Sequence, residues 1–99
     1  MTKLHLNPIY LATIKGILKK HLKKRKVVAF GSRVTGNFKP HSDLDLCIMG
    51  DDSLSIQEIA ALKEDFSESQ LPIRIDIVVW TDISSEFQEI IKNNKFELQ

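Results

Sequence analysis

The stretch FGSRVTGNFKPHSDLDLCIMG, residues 30–50, decides how this chain is read. A glycine-serine pair follows an apolar run, and ten residues later Asp43 and Asp45 open a second apolar run. Carboxylates lose free energy when they leave water, and two on one strand face repel each other. A short apolar strand carries such a pair only where something offsets the repulsion.

Working outward, VVAF (27–30) reads as a buried strand that stops at Gly31, and DLDLCIM (43–49) reads as a second. IRIDIVVW (73–80) is the clearest strand: Ile73, Ile75, Ile77 and Val79 share one face, and Arg74, Asp76, Val78 and Trp80 the other. Upstream, Ile9, Leu11, Ile14, Ile17, Leu18 and Leu22 recur at helical spacing over residues 7–24, with Asn7 as N-cap and Pro8 in the first helical position. SIQEIAALKEDF (55–66) predicts a helix with a Ser55/Glu58 capping box and a buried stripe of Ile56, Ile59, Leu62 and Phe66. A last helix starts at Ser84 or Ser85, turns Phe87, Ile90 and Ile91 inward, and ends at Asn93 or Asn94. Phe96 and Leu98 suggest a short edge strand. The alternation predicts an α/β (α+β) fold: a small mixed β-sheet with helices packed on one face.

Composition bounds the rest. Ninety-nine residues, 42% hydrophobic and 27% charged, suit a single domain over 1–99, without repeat or linker. A formal net charge of +1 argues against direct nucleic-acid binding. The one basic run, KKHLKKRK (19–26), reads as a solvated helix end favoured by the helix dipole, or as a phosphate-steering patch. Cys47 stands alone, so no internal disulfide forms, and a reducing cytoplasm is expected. No apolar run approaches the roughly 20 residues that span a bilayer, and no signal peptide is evident, so no membrane partner is expected. His5 and His41 read as surface residues, and His21 belongs to the basic helix end.

Strand alternation puts Asp43 and Asp45 on one face, about 6.6 Å apart at Cα. Asp76 sits on the non-core face of its own strand; it either joins them or pairs with Arg74 or a lysine. If the strands are neighbours, three carboxylates converge, and hard divalent cations such as Mg²⁺ take carboxylate and phosphate oxygens. A pair of such ions can stabilise both the attacking and the leaving oxygen. Gly31 permits a sharp turn and close approach of a ligand to the backbone. Ser32 offers a hydroxyl and Arg33 a guanidinium to phosphate. The spacing fits neither a P-loop nor a dinucleotide fingerprint. Taken singly, a Gly-Ser turn is most often only a turn and Asp-x-Asp only edge charge; the combination is the specific signal.

Gly31-Ser32, ten residues, then Asp43-Leu44-Asp45 resembles the signature of the DNA polymerase β-like nucleotidyltransferase superfamily. GSR, Gly36, SDLDL and RIDIVV are most similar to its minimal nucleotidyltransferase (MNT) branch. The resemblance implies that Asp43, Asp45 and Asp76 are catalytic and hold Mg²⁺, two ions, with Mn²⁺ as an alternative. It implies that Gly31 and Ser32, assisted by Arg33, hold the phosphates of an NTP, ATP first among them. Val34 and Thr35 stand where members often carry alanine and a basic residue. The same resemblance implies a helical HEPN-type toxin as partner, with AMP transferred to its hydroxyl.

Two functions from different classes follow. One is an Mg-dependent enzyme transferring a nucleoside monophosphate to a partner's hydroxyl; the other is an antitoxin that neutralises by contact and only senses nucleotide. A phospho-acceptor receiver domain is disfavoured, because the chain lacks the alternation of a doubly wound sheet. Trp80 and Phe38 can line a base or partner surface, although Trp80 can equally pack beneath the last helix. A homo-oligomer stays open.

Overall fold

The computed structural model describes residues 3–99, and its centre is β1 (Val27–Phe30), buried at all four positions. The strand is continuous in its apolar residues because it is covered on both faces and paired on both edges. In chain order the elements are α1 (Pro8–His21), β1, α2 (Ser32–Thr35), β2 (Leu44–Ile48), α3 (Ile56–Glu68), β3 (Ile75–Val79), a 3-10 turn (Trp80–Asp82), α4 (Ser85–Asn93) and β4 (Phe96–Glu97). The sheet order is β3-β2-β1-β4. β1 runs antiparallel to β2 and β4, whereas β2 and β3, joined through α3, are parallel. The sheet is mixed, as the alternation predicts.

The caps form as the sequence indicates. Asn7 Oδ1 accepts from the Ile9 N–H at 2.8 Å, Ser55 and Glu58 close their capping box, and Ser84 caps α4. Some boundaries differ. α1 ends at His21 rather than near residue 24, because Leu22 leaves helical geometry (φ −132°, ψ 54°) to bury its side chain. β2 starts at Leu44, so Asp43 precedes it, and β3 pairs only from Ile75 because it is an edge strand whose one partner begins there.

The layering corrects one expectation. α1 and α3 pack on the first face, where Ile14, Leu18, Leu62 and Phe66 meet Val27, Ala29, Leu44, Leu46 and Ile48. α4 instead packs on the second face, where Ile91 and Phe87 meet Val28, Phe30, Cys47 and Val78. Val28, Phe30 and Cys47 are apolar positions of the face that also carries the aspartates, and they need a cover. Trp80 joins this layer, its carbonyl accepting from Gln88 Nε2 at 2.9 Å, so it packs beneath the last helix. Ile9, Ile56 and Ile90, each placed on a buried stripe by periodicity, are 72%, 84% and 64% exposed. They lie at helix ends or on the outer flank, where the short helices extend past the sheet.

Arg33 is the buried charged side chain, 5% exposed. Its Nε donates to the Ser42 carbonyl at 3.0 Å, Nη1 to His5 at 3.0 Å and Nη2 to Pro40 at 3.2 Å. The guanidinium also lies over Phe38, 5.3 Å from the ring centroid, and Phe38 in turn stacks on His5 at 5.1 Å. Arg33 thus ties the loop 37–43 and the N-terminal segment to α2, and His5 is part of that packing. His21 reaches Asp65 at 2.8 Å and links α1 to α3.

Two outcomes follow from this packing. Arg33→Lys cannot reproduce a planar fork on three carbonyls, and leaving two of them unpaired should cost about 2–4 kcal/mol, read as a lower urea midpoint. Burial pushes the Cys47 thiol up to about 11, so a thiol reagent at neutral pH should label Cys47 only at the rate of global unfolding.

Candidate active site

β1 ends, and β2 and β3 begin, at the same end of the sheet. The register sets Phe30 opposite Asp45, and Asp45 opposite Asp76. Residues opposite one another project to the same side, so Asp45 and Asp76 share the second face with Phe30, just beyond the layer covered by α4. Asp43 lies two residues before Asp45 on the same side. The three predicted aspartates are therefore brought to one end of one face.

Electrostatics records their proximity. Burial pushes the Asp45 carboxyl above the usual carboxylate range, and the charges of Asp76 and Asp43 push it further. Among the described residues, no three Asp, Glu, His or Cys side chains are yet gathered closely enough to hold an ion. One reason is visible: Asp76 Oδ1 is turned to Arg74 Nε, 3.2 Å away. Both sequence readings of Asp76 hold at once, since it shares the aspartate face and pairs with Arg74.

Gly31 joins this end to the turn. Its φ of +82° is one that L side chains rarely adopt, and a Cβ built there would collide with the Asp45 carboxylate. The N–H groups of Val34 and Thr35 both return to the Gly31 carbonyl at 3.0 Å. Those of Ser32 and Arg33 have no partner among the described residues. Ser32 opens α2 and is half-buried beside this backbone. Arg33, expected to assist at phosphate, has its guanidinium drawn inward onto three carbonyls. A one-turn helix rotates successive side chains by about 100°, so neighbours in sequence face different ways here.

A cavity of about 860 Å³ runs along the free edge of β3 and is lined by Phe30, Asp45, Lys63, Arg74, Asp76 and Phe87 among others. Asp43 and the Gly31-Ser32 turn lie outside its lining. Phe30 and Phe87 meet edge to face with centroids 5.5 Å apart and floor it beside Asp45. Sequence reasoning read Phe30 and Phe87 as core alone and passed over Lys63. The parity of Phe30 with Asp45 was available only once the β1–β2 register was known. The donor set suits a hard divalent cation: three carboxylates at one strand end, mutually repelling, beside a backbone turn on which no side chain fits.

Known proteins share the family and the fold of this chain. Residues 11–99 match the nucleotidyltransferase domain family. The chain is 46% identical over 82 residues to a probable protein adenylyltransferase MntA of Haemophilus influenzae, spanning 83% of this chain and 72% of that protein. It superposes on a chain from the crystal structure of a toxin–antitoxin with AMP-PNP at a TM-score of 0.74 and 21% identity, covering 90% of this chain and 72% of that one. For the tri-AMPylated Shewanella oneidensis HEPN toxin in complex with MNT antitoxin the TM-score is 0.68 at 18% identity, covering 92% of this chain and 70% of that one. The two structures speak to the fold alone; the family match over most of the chain and the identity to the Haemophilus influenzae protein establish more. This chain belongs to the nucleotidyltransferase domain family.

Proposed function

We propose that the protein transfers a nucleoside monophosphate, AMP in the first instance, from an NTP to a hydroxyl of a helical HEPN-type toxin. The observation that carries this reading is the close approach of Gly31 to Asp45, which joins a phosphate turn to a carboxylate with no room for a side chain between them. The relative named as a protein adenylyltransferase and the fold likeness to chains of toxin–antitoxin structures, one with an AMPylated toxin, support the same partner and chemistry. Among the described residues no helix is long and apolar enough to cross a membrane, and the buried free thiol of Cys47 supports a reducing cytoplasm.

In this reading Asp43, Asp45 and Asp76 hold divalent cations, two Mg²⁺ with Mn²⁺ as substitute. When bound, these supply charge neutralisation and Lewis acidity at the reacting phosphate. Gly31 lets the chain approach the triphosphate, and the Ser32 hydroxyl with the N–H groups of Ser32 and Arg33 donates to its oxygens. The acceptor hydroxyl oxygen bonds to the α-phosphorus in line, the bond from that phosphorus to the bridging oxygen of the β-phosphate breaks, and pyrophosphate leaves. Asp76, on the edge strand with 39% of its side chain exposed, faces the approaching hydroxyl and receives its proton. The Arg33 side chain acts from a distance, by holding the loop before Asp43.

Asp45 gives a pH test of this charge cluster. A carboxyl whose folded pKa is raised costs stability once ionised; the cost is absent below its unfolded pKa and complete above the folded one. Asp45→Asn should therefore raise the metal-free melting temperature at pH 7, and the gain should shrink as pH falls into the acid range. Mg·ATP should raise the melting temperature of the wild type but not of this variant.

Intact-mass analysis of the HEPN-type partner after incubation with Mg·ATP should show added AMP, and Asp43→Asn should abolish it. A stable complex that acquires no nucleotide from any NTP would leave only neutralisation by contact.

A further inference from the structure

Arg74 stands two residues before Asp76 on the same strand face and holds its carboxylate at 3.2 Å. The Leu44 N–H donates to the Arg74 carbonyl at 2.9 Å, one of the bonds that make the parallel Leu44–Ile75 pair. Asp45 stands opposite Asp76, and the same alternation continued by one residue before the first pair sets Asp43 level with Arg74. One guanidinium, paired with Asp76, thus shares the strand face that carries the three aspartates. Arg74 is 77% exposed and Asp76 39%, and an exposed pair of this kind is a weak restraint that a stronger cation can displace.

We propose that Arg74 is a positioning residue with two successive partners: Asp76 in the resting protein, and the phosphates of the nucleotide once a divalent cation has taken Asp76. The inference rests on the nucleotidyltransferase reading and deepens it. In the resting state the guanidinium pairs with Asp76 and offsets its charge beside Asp45. A divalent cation carries twice the charge in a smaller volume and binds carboxylate oxygen without a long flexible stem, so it replaces the guanidinium. The freed guanidinium then stands at the wall of the cavity beside Asp45 and Asp76, where a triphosphate offers paired oxygens for its fork. Arg74 therefore competes with the metal and cooperates with the nucleotide.

Opposite signs make this testable without activity. Binding of Mn²⁺ alone, followed by the loss of its free electron paramagnetic resonance signal, should be about three- to tenfold tighter in Arg74→Gln than in the wild type, since a competing positive charge is gone. Binding of ATP at saturating Mn²⁺, followed by calorimetry, should be several-fold weaker in the same variant. Arg74→Lys should keep the wild-type Mn²⁺ affinity but recover only part of the ATP affinity, because a lysine is a point charge. If Mn²⁺ binding is unchanged or weaker in Arg74→Gln, or if both affinities move in one direction, the proposal is overturned. Loss of Mn²⁺ binding in Asp45→Asn within the same series keeps the metal site standing in that event. A wild type that binds no Mn²⁺ would remove the site and the proposal together.

Discussion

Asp45 and Asp76 lie opposite each other across two parallel strands, and the active end of the molecule is arranged around that repulsion. Parallel neighbours require a crossover, which α3 supplies, and the register between the two strands sets carboxylate against carboxylate. The backbone on the other side must then come close without adding bulk, which is why Gly31 occupies its left-handed turn against Asp45. The folded chain bears a local penalty here, from burial of the Asp45 carboxyl first and from its like-charged neighbours second, and gains a place where positive charge is wanted. Sites that concentrate like charges in this way are usually sites of function.

Much of this was legible in the sequence, because it depends on short-range rules. The period of two in residues 73–80, the helix caps at Asn7, Ser55 and Ser84, and the Gly-Ser turn before Asp-x-Asp each reflect interactions within a few residues. What escaped depends on tertiary geometry. A helical period places Phe87 and Ile91 on the inner flank of α4 but cannot say which side of the sheet that flank meets. The answer came from Val28, Phe30 and Cys47, whose face needed a cover. Arg33 was misplaced for the same reason: beside a phosphate turn a guanidinium invites a phosphate, and only the folded loop reveals three carbonyls waiting for it. Asp76 was legible as an alternative of two partners, and the structure has room for both.

Charge is also distributed by the fold. Residues 19–26 carry six of the fourteen Lys and Arg and end where β1 begins, while the aspartates gather where β1 ends. A strand of four residues separates the two poles by about 13 Å. A formal net charge of only +1 thus conceals a dipole along the strand direction. Lys20 and Lys26 are paired with Asp65 and Glu97 at 3.4 Å, both on exposed surface where such pairs stabilise little. Their neighbours keep the basic pole solvated and apart from the carboxylates.

The Arg33 clamp ties the motions of three segments together. Its acceptors belong to the N-terminal segment, through His5, and to the loop before Asp43, through Pro40 and Ser42, while its own backbone forms α2. Opening any one of them strands a buried guanidinium, so the least costly excursion releases all three at once. Amide hydrogen exchange in these segments then shares a single opening free energy, although they are distant in sequence. The approach to Asp43 is governed by a cooperative unit whose hinge is one side chain.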